Sequence, residues 1–291
     1  MSVALPSAEA TRRPRLRVDP FVLLAAPGLL YLAILFALPL AILLFRSFQA
    51  SDGTFSIAGY IAFFSDPHNL SVTWRTLKVA ILSTLLCLVL AYPTAFALAR
   101  ARGIVQSLIL VAMVLPLSVG VIVKAFSWSI VLRSDGIVNQ TLLALGLVEA
   151  PVRLLFTETA LVIGSANVFL PFMVLPIYAV VRQIDPELSP AAASLGAGPF
   201  FRFFQVVLPL TLPGVIAGVA FVFSLAISMY VIPSLLVGER LSTMSMLIAR
   251  SFLFFRDAQL GSTISAILLL MAVIVVLGSS YLVRHVSGGR A

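Results

Sequence analysis

Six long apolar runs, separated by polar segments rich in Gly, Pro, Asp and Asn, set the pattern of the chain. The first, Phe21–Phe45, is long enough to cross a hydrocarbon core of about 30 Å at about 1.5 Å per residue. It is too long for the apolar part of a cleaved signal peptide and no small-x-small site follows it, so it reads as an uncleaved anchor. Residues 46–75 are polar and mixed. Thr76–Leu98 forms the second run, with Pro93 near one end and Arg100, Arg102 and Gly103 marking a tight turn directly after it. The third, Ile104–Leu132, reads as one span with Pro116 inside and Lys124 and Trp128 towards its far end, where the lysine is expected to snorkel to the interface. Arg75 and Lys78 read as boundary residues by the same reasoning. The fourth, Glu158–Val181, carries Asn167, Pro171 and Pro176 and is expected to bend or break near its middle. Leu212–Val237 and Gly261–Val283 are the fifth and sixth. The fold class is therefore all-α, a polytopic membrane protein with six transmembrane helices.

Composition agrees with the pattern. Apolar residues make up 61% of the 291 and charged residues 10%, against roughly 45–50% and 25% in soluble domains. The net charge of +8 would point to nucleic acid in a soluble chain, but here it reports topology, and no nucleic-acid partner is expected. Arg12, Arg13, Arg15 and Arg17 directly precede the first run, which places that end in the cytoplasm. Ten Lys/Arg fall in the inner segments and nine in the outer ones, so the orientation rests on this cluster and on the Arg100/Arg102 turn. Both termini come out cytoplasmic, in a multi-pass membrane protein. The expected organisation is a cytoplasmic tail over residues 1–20, a first helix with its outer segment over 21–75, a core of five helices over 76–285 and a tail over 286–291.

The most patterned polar stretch is Asp185–Gly214, DPELSPAAASLGAGPFFRFFQVVLPLTLPG. Ser189-Pro190 is a helix-start signal, Ala191–Ala193 favour helix, and Gly196 suits a left-handed stop, which predicts a short helix over Pro190–Leu195. Gly198-Pro199 then opens a second helical piece bearing Phe200, Phe201, Phe203 and Phe204 around Arg202. Ala191-Ala192, three residues, Gly196, nine residues, Val206, one residue and Leu208-Pro209 resemble the EAA loop of the binding-protein-dependent ABC importer permeases. That family has Glu-Ala-Ala at the head of the pattern; Pro190 stands here in place of the glutamate. The resemblance implies a cytoplasmic coupling helix between spans four and five, docked on an ATPase subunit, with Pro190, Ala191, Ala192, Gly196, Leu208 and Pro209 as its residues. Leu132–Asn139, Phe169–Pro176 and Tyr230–Gly238 resemble the spermidine/putrescine branch of that family.

The resemblance further implies an importer of the bacterial inner membrane with a periplasmic or tethered solute-binding protein, a second permease subunit in a heterodimer, and two ATP-binding subunits that hold the nucleotide. The chain itself offers no glycine-rich phosphate loop next to either of its lysines, Lys78 and Lys124, so no cofactor and no enzymatic activity of its own is expected. His68 and His285 fall on opposite predicted sides and Cys87 is the single cysteine, within a span, so no metal site is expected. No acid sits deep in a span, which argues against an ion-gradient-driven carrier. Residues in the spans able to face a small organic cation are Trp128, Tyr178, Ser224, Ser228 and Tyr230, through aromatic faces and hydroxyls. Related branches carry other small organic solutes or ions.

Overall fold

The computed structural model describes residues 20–49 and 53–288, in which all regular secondary structure is helical apart from an isolated bridge between Gln49 and Phe55. The Arg12, Arg13, Arg15 and Arg17 cluster, Asp52 and Arg290 lie outside these residues. Two units divide the chain, one ending at Phe45 and the other beginning at Arg46. The first contains most of α1 (Ala25–Ser47), which carries a π turn at Ala33–Ala37. No residue of Ala25–Phe45 is buried, and the segment is apolar on all its faces.

The second unit is built on α3 (Pro67–Arg100), α7 (Glu158–Val181), α9 (Pro199–Ser228) and α12 (Ala258–Gly288). Between them lie α2 (Ala58–Ser65), α4 (Gly103–Ser118), α5 (Val121–Val131), α6 (Ile137–Ala144), α8 (Leu188–Ser194), α10 (Val231–Leu236) and α11 (Met244–Leu253). Side chains such as Val79, Cys87, Leu161, Met173, Ile177, Val222, Ile227 and Ile264 form the buried core where the long helices meet. Among the described residues, five helices are long and apolar enough to cross a membrane, or six if the bent pair α4–α5 counts as one crossing.

Side-chain pairing fixes the register. Glu158 at the start of α7 meets Lys78 at 2.8 Å and Arg75 at 3.5 Å, and Cys87 Sγ donates to Ala166 O at 3.5 Å further along. Residue numbers rise together on both helices, so α3 and α7 are parallel. Against α7, α9 runs the other way. A Cβ on Gly214 would come within 2.8 Å of Pro176 O and one on Gly218 within 2.8 Å of Met173 Sδ, while Ser165 Oγ bonds Met229 Sδ at 3.0 Å. Gly214 and Gly218 form a small-xxx-small step that lets the α7 and α9 backbones approach closely.

Several boundaries depart from the sequence reading, each for a physical reason. Helix α3 starts nine residues ahead of Thr76, because Asp66 accepts from the His68 N–H at 2.8 Å and Pro67 fits the first helical position. The third run is not one helix. Val119 and Gly120 are extended, and α4 and α5 meet at a bend of 102°. Lys124, on α5, is only 9% exposed, so it is covered by protein and does not stand free at an interface. Helix α7 is continuous through Pro171 and Pro176 and is not broken; α9 packs its glycines beside that stretch. The fifth span runs from Pro199 to Ser228, not Leu212 to Val237. A helix continued through Pro233 would drive its ring into the Met229 carbonyl four residues back, and Met229 turns out to ψ 135°. The segments that the sequence reading takes as outer connections hold α2, α6 and α11.

Candidate functional site

The loop between α7 and α9 is assembled from local signals. After Val181 the chain leaves the helix, and Asp185 Oδ1 accepts from the Glu187 N–H at 2.9 Å, closing a turn that starts α8 at Leu188. That turn precedes the helix, whose first position after Glu187 has no side-chain cap. Ser189 does not cap, and Pro190 is the third helical residue, still within the first turn, where its missing N–H costs no bond. The first full helical bond is Ala191 N to Glu187 O at 2.9 Å.

Helix α8 ends at Ser194, one residue before the predicted Leu195, in a double bond pattern: Ala197 N to Ala192 O at 3.1 Å and Gly196 N to Ala193 O at 2.9 Å. Gly196 has φ +86°, the left-handed geometry this Schellman stop requires. Gly198 then caps α9 and Pro199 takes its first position. Phe203–Val207 widens into a π turn, so the Leu208 N–H bonds Phe203 O. Leu208 and Pro209 are consequently part of the α9 rod, half-buried, and stand apart from α8.

Two hollows flank this loop. One, about 410 Å³, is lined by Ala192, Leu195, Gly196, Ala197, Gly198 and Phe201. Around it the loop exposes apolar side chains: Leu195 is 90% exposed and Phe200 80%, with Phe201 and Phe204 also open. So concentrated an apolar patch on a polar loop marks a contact surface. The other hollow, about 500 Å³, lies between the loop and the end of α3. There Tyr92 Oη and Thr211 Oγ1 are 3.0 Å apart, Tyr92 stacks edge-on to Phe203 at 5.9 Å, and the Arg100 guanidinium sits 5.8 Å over Phe96. The first two contacts tie the root of α9 to α3. Nothing in the sequence reading singled out Tyr92 or Arg100 for this, since a tyrosine in an apolar run gives no local sign of its distant partner.

The span residues able to meet a cation divide into two groups. Ser224 and Ser228 share one face of α9, their hydroxyls donating to Ala220 O and Ser224 O, each at 2.8 Å. Tyr230, 45% exposed, follows the end of that helix, and α10 after it packs on α5, which carries the half-buried Trp128. Tyr178 is elsewhere. By the α7–α9 register, the level of Ser224 falls near Asn167, eleven residues from Tyr178, or roughly 16 Å along the axis. Among the described residues no three His, Cys, Asp or Glu side chains gather as metal ligands would.

Comparison with known proteins gives the following. Residues 18–287 match the profile described as "Binding-protein-dependent transport system inner membrane component". The chain is 34% identical over 245 residues to the spermidine/putrescine transport system permease protein PotB of Haemophilus influenzae, covering 82% of this chain and 85% of that one. Identity to PotB of Escherichia coli is 34% over 200 residues, 69% of this chain and 73% of the relative. Among solved structures, a chain of a bacterial alginate ABC transporter, in complex with an alginate pentasaccharide-bound periplasmic protein, superposes with a TM-score of 0.71 at 17% identity. The match covers 92% of this chain and 94% of that one, a likeness of fold.

Proposed function

Since the chain belongs to the family of binding-protein-dependent transport system inner membrane components, a membrane permease subunit and not an enzyme, we propose that it forms the membrane path of an ATP-driven importer of polyamines such as spermidine and putrescine. The observation that carries the mechanism is the loop. Its short helix is stopped by a left-handed glycine and presents Leu195, Phe200 and Phe201 to a partner, while its far end is rooted in the long rod of α9. The partner is an ATP-binding subunit, and Pro190, Ala191, Ala192 and Gly196 form the coupling helix with Leu208 and Pro209 behind it. The absent glutamate removes one charged contact and leaves docking to apolar complementarity.

The full assembly pairs this chain with a second, different permease subunit, two ATP-binding subunits and a periplasmic or tethered solute-binding protein. In the inner membrane the chain crosses six times, with both termini cytoplasmic. Support comes from the parallel α3 and α7: the chain has to recross between them, and α4 with α5 is the only connection apolar and long enough to do it. Helix α4 then rises through most of the core, and α5 turns aside near the outer face. Polyamine specificity is supported by the PotB relatives and by aromatic and hydroxyl groups at the outer end of the spans, where Trp128, Ser228 and Tyr230 offer faces and lone pairs to an ammonium group.

The deciding experiment is co-purification of the chain with its partner subunits, followed by ATPase activity with the binding protein loaded or unloaded. Stimulation by the spermidine- or putrescine-loaded form is expected. An ATPase complex indifferent to polyamines would remove the substrate and keep the importer; failure of any ATPase to associate would overturn the reading of the loop.

A further inference from the structure

The 500 Å³ cleft between α3 and the root of α9 has a directional chemistry that coupling does not use. Its lining is Tyr92, Pro93, Phe96, Arg100, Ser189, Pro199, Arg202, Phe203 and Val207. Both cations, Arg100 and Arg202, mark its polar side, and among the described residues no carboxylate lines it. Among the same residues Arg202 Nε is buried without a hydrogen-bond partner, and the Arg100 guanidinium stands over the face of Phe96. A buried guanidinium nitrogen left unpaired costs free energy that an anion would recover. The adjoining hollow of about 160 Å³ shares Arg100 and Ser189 and adds Arg182 and Asp185, but that carboxylate already accepts from the Glu187 N–H.

Away from the arginines the floor is apolar. From Arg100 at the last turn of α3 to Tyr92 is eight residues, or roughly 12 Å of axis, lined by Phe96, Pro93, Phe203 and Val207. The cleft therefore starts at the charged end of a membrane helix and continues inward past the level of the headgroups. A free phosphate would use only the rim, and an acidic side chain from a docked protein would have to enter the hydrocarbon to use the floor.

We propose that this cleft binds an anionic phospholipid of the cytoplasmic leaflet, its phosphodiester held between Arg100 and Arg202 and the first part of one acyl chain laid along Phe96 and Tyr92. Guanidinium suits the site because its planar fork pairs two phosphate oxygens at once. Basic pockets between helices on the cytoplasmic side are where such headgroups bind. The bound lipid sits against Ser189 in α8 and Pro199 at the start of α9, so it steadies α8 relative to α3. The inference rests on the cytoplasmic placement of the loop but not on the identity of the solute.

The test is native mass spectrometry of the full chain in its purified complex, with phosphatidylglycerol or phosphatidylcholine added, and separately with inorganic phosphate. Retention of phosphatidylglycerol over phosphatidylcholine is expected, falling at least roughly tenfold in the double variant R100Q/R202Q. R202K, which keeps the charge but loses the fork, should retain an intermediate amount, and R153Q, on an exposed arginine remote from the loop, should match the parent. Phosphatidylglycerol retention equal in the parent and the double variant would overturn the proposal. So would displacement by millimolar phosphate, which would make the cleft a plain anion site. Unchanged lipid retention with lost ATPase association would give the cleft to the ATPase; lost retention with intact association separates the lipid site from the coupling surface.

Discussion

Gly196 shows how much one residue can decide. Its φ of +86° is closed to most side chains, yet a Cβ there would meet nothing within 4 Å, so the cost of substitution is conformational and not steric. A non-glycine residue in this region costs roughly 1–2 kcal/mol, least for Asn and Asp, whose short side chains tolerate it. Gly196→Asp is therefore expected to insert and fold as the parent does, measured by detergent-extracted yield. Transport is expected to be lost, because a charge now sits in the apolar hollow beside Leu195 and Phe201. Gly196→Asn, without the charge, should keep part of the activity. Full transport by the aspartate variant would remove the role assigned to the loop.

At the scale of helices, the α7–α9 pair depends on two glycines one turn apart. Gly214 is the more demanding, because its Cβ would approach backbone atoms, Pro176 O at 2.8 Å and Ile177 Cα at 3.1 Å, which cannot swing away. Gly214→Val should destabilise by about 1–3 kcal/mol, as overpacking does, seen as a lower thermal midpoint in detergent. Gly278→Ala on α12, where nothing lies within 4 Å, should not lower it; equal losses at both positions would refute the close-packing account. The sequence shows the long helices well because hydropathy alone marks them, and Glu158–Val181 appears with the bounds the structure has. It hides the break of α9, since Pro233 acts on Met229 four residues back and both stand in an apolar run. It hides the capped start of α3 as well, because Asp66-Pro67 reads equally as a turn. In the loop, the stop at Gly196 and the restart at Gly198-Pro199 are legible, being local. The attachment through Tyr92 and Thr211 joins residues 119 positions apart, and a single sequence carries no mark of it.

For the whole molecule, topology is the property most open to direct measurement. Cys87 is fully buried, so an impermeant thiol reagent meets little background from the native chain. In whole cells with a permeabilised outer membrane, Arg153→Cys in the segment after α6 should label and Ser194→Cys at the end of α8 should not. Disruption of the inner membrane should make the second react. The reverse pattern would invert the protein and move the loop away from any cytoplasmic ATPase. The uninterrupted run of α9 from Pro199 to Ser228 has a mechanical side. The rod is held by Tyr92 at Thr211 and by α7 from Gly214 onward, and beyond that Val222, Ala226 and Ile227 lie in the core, with Met229 bonded to Ser165. The stretch from Pro199 to Thr211, roughly 18 Å, therefore stands out from the packed part as a handle. A push on the loop travels along that handle, less whatever the π turn at Phe203–Val207 absorbs, and moves the packed part of α9 as one body with α7.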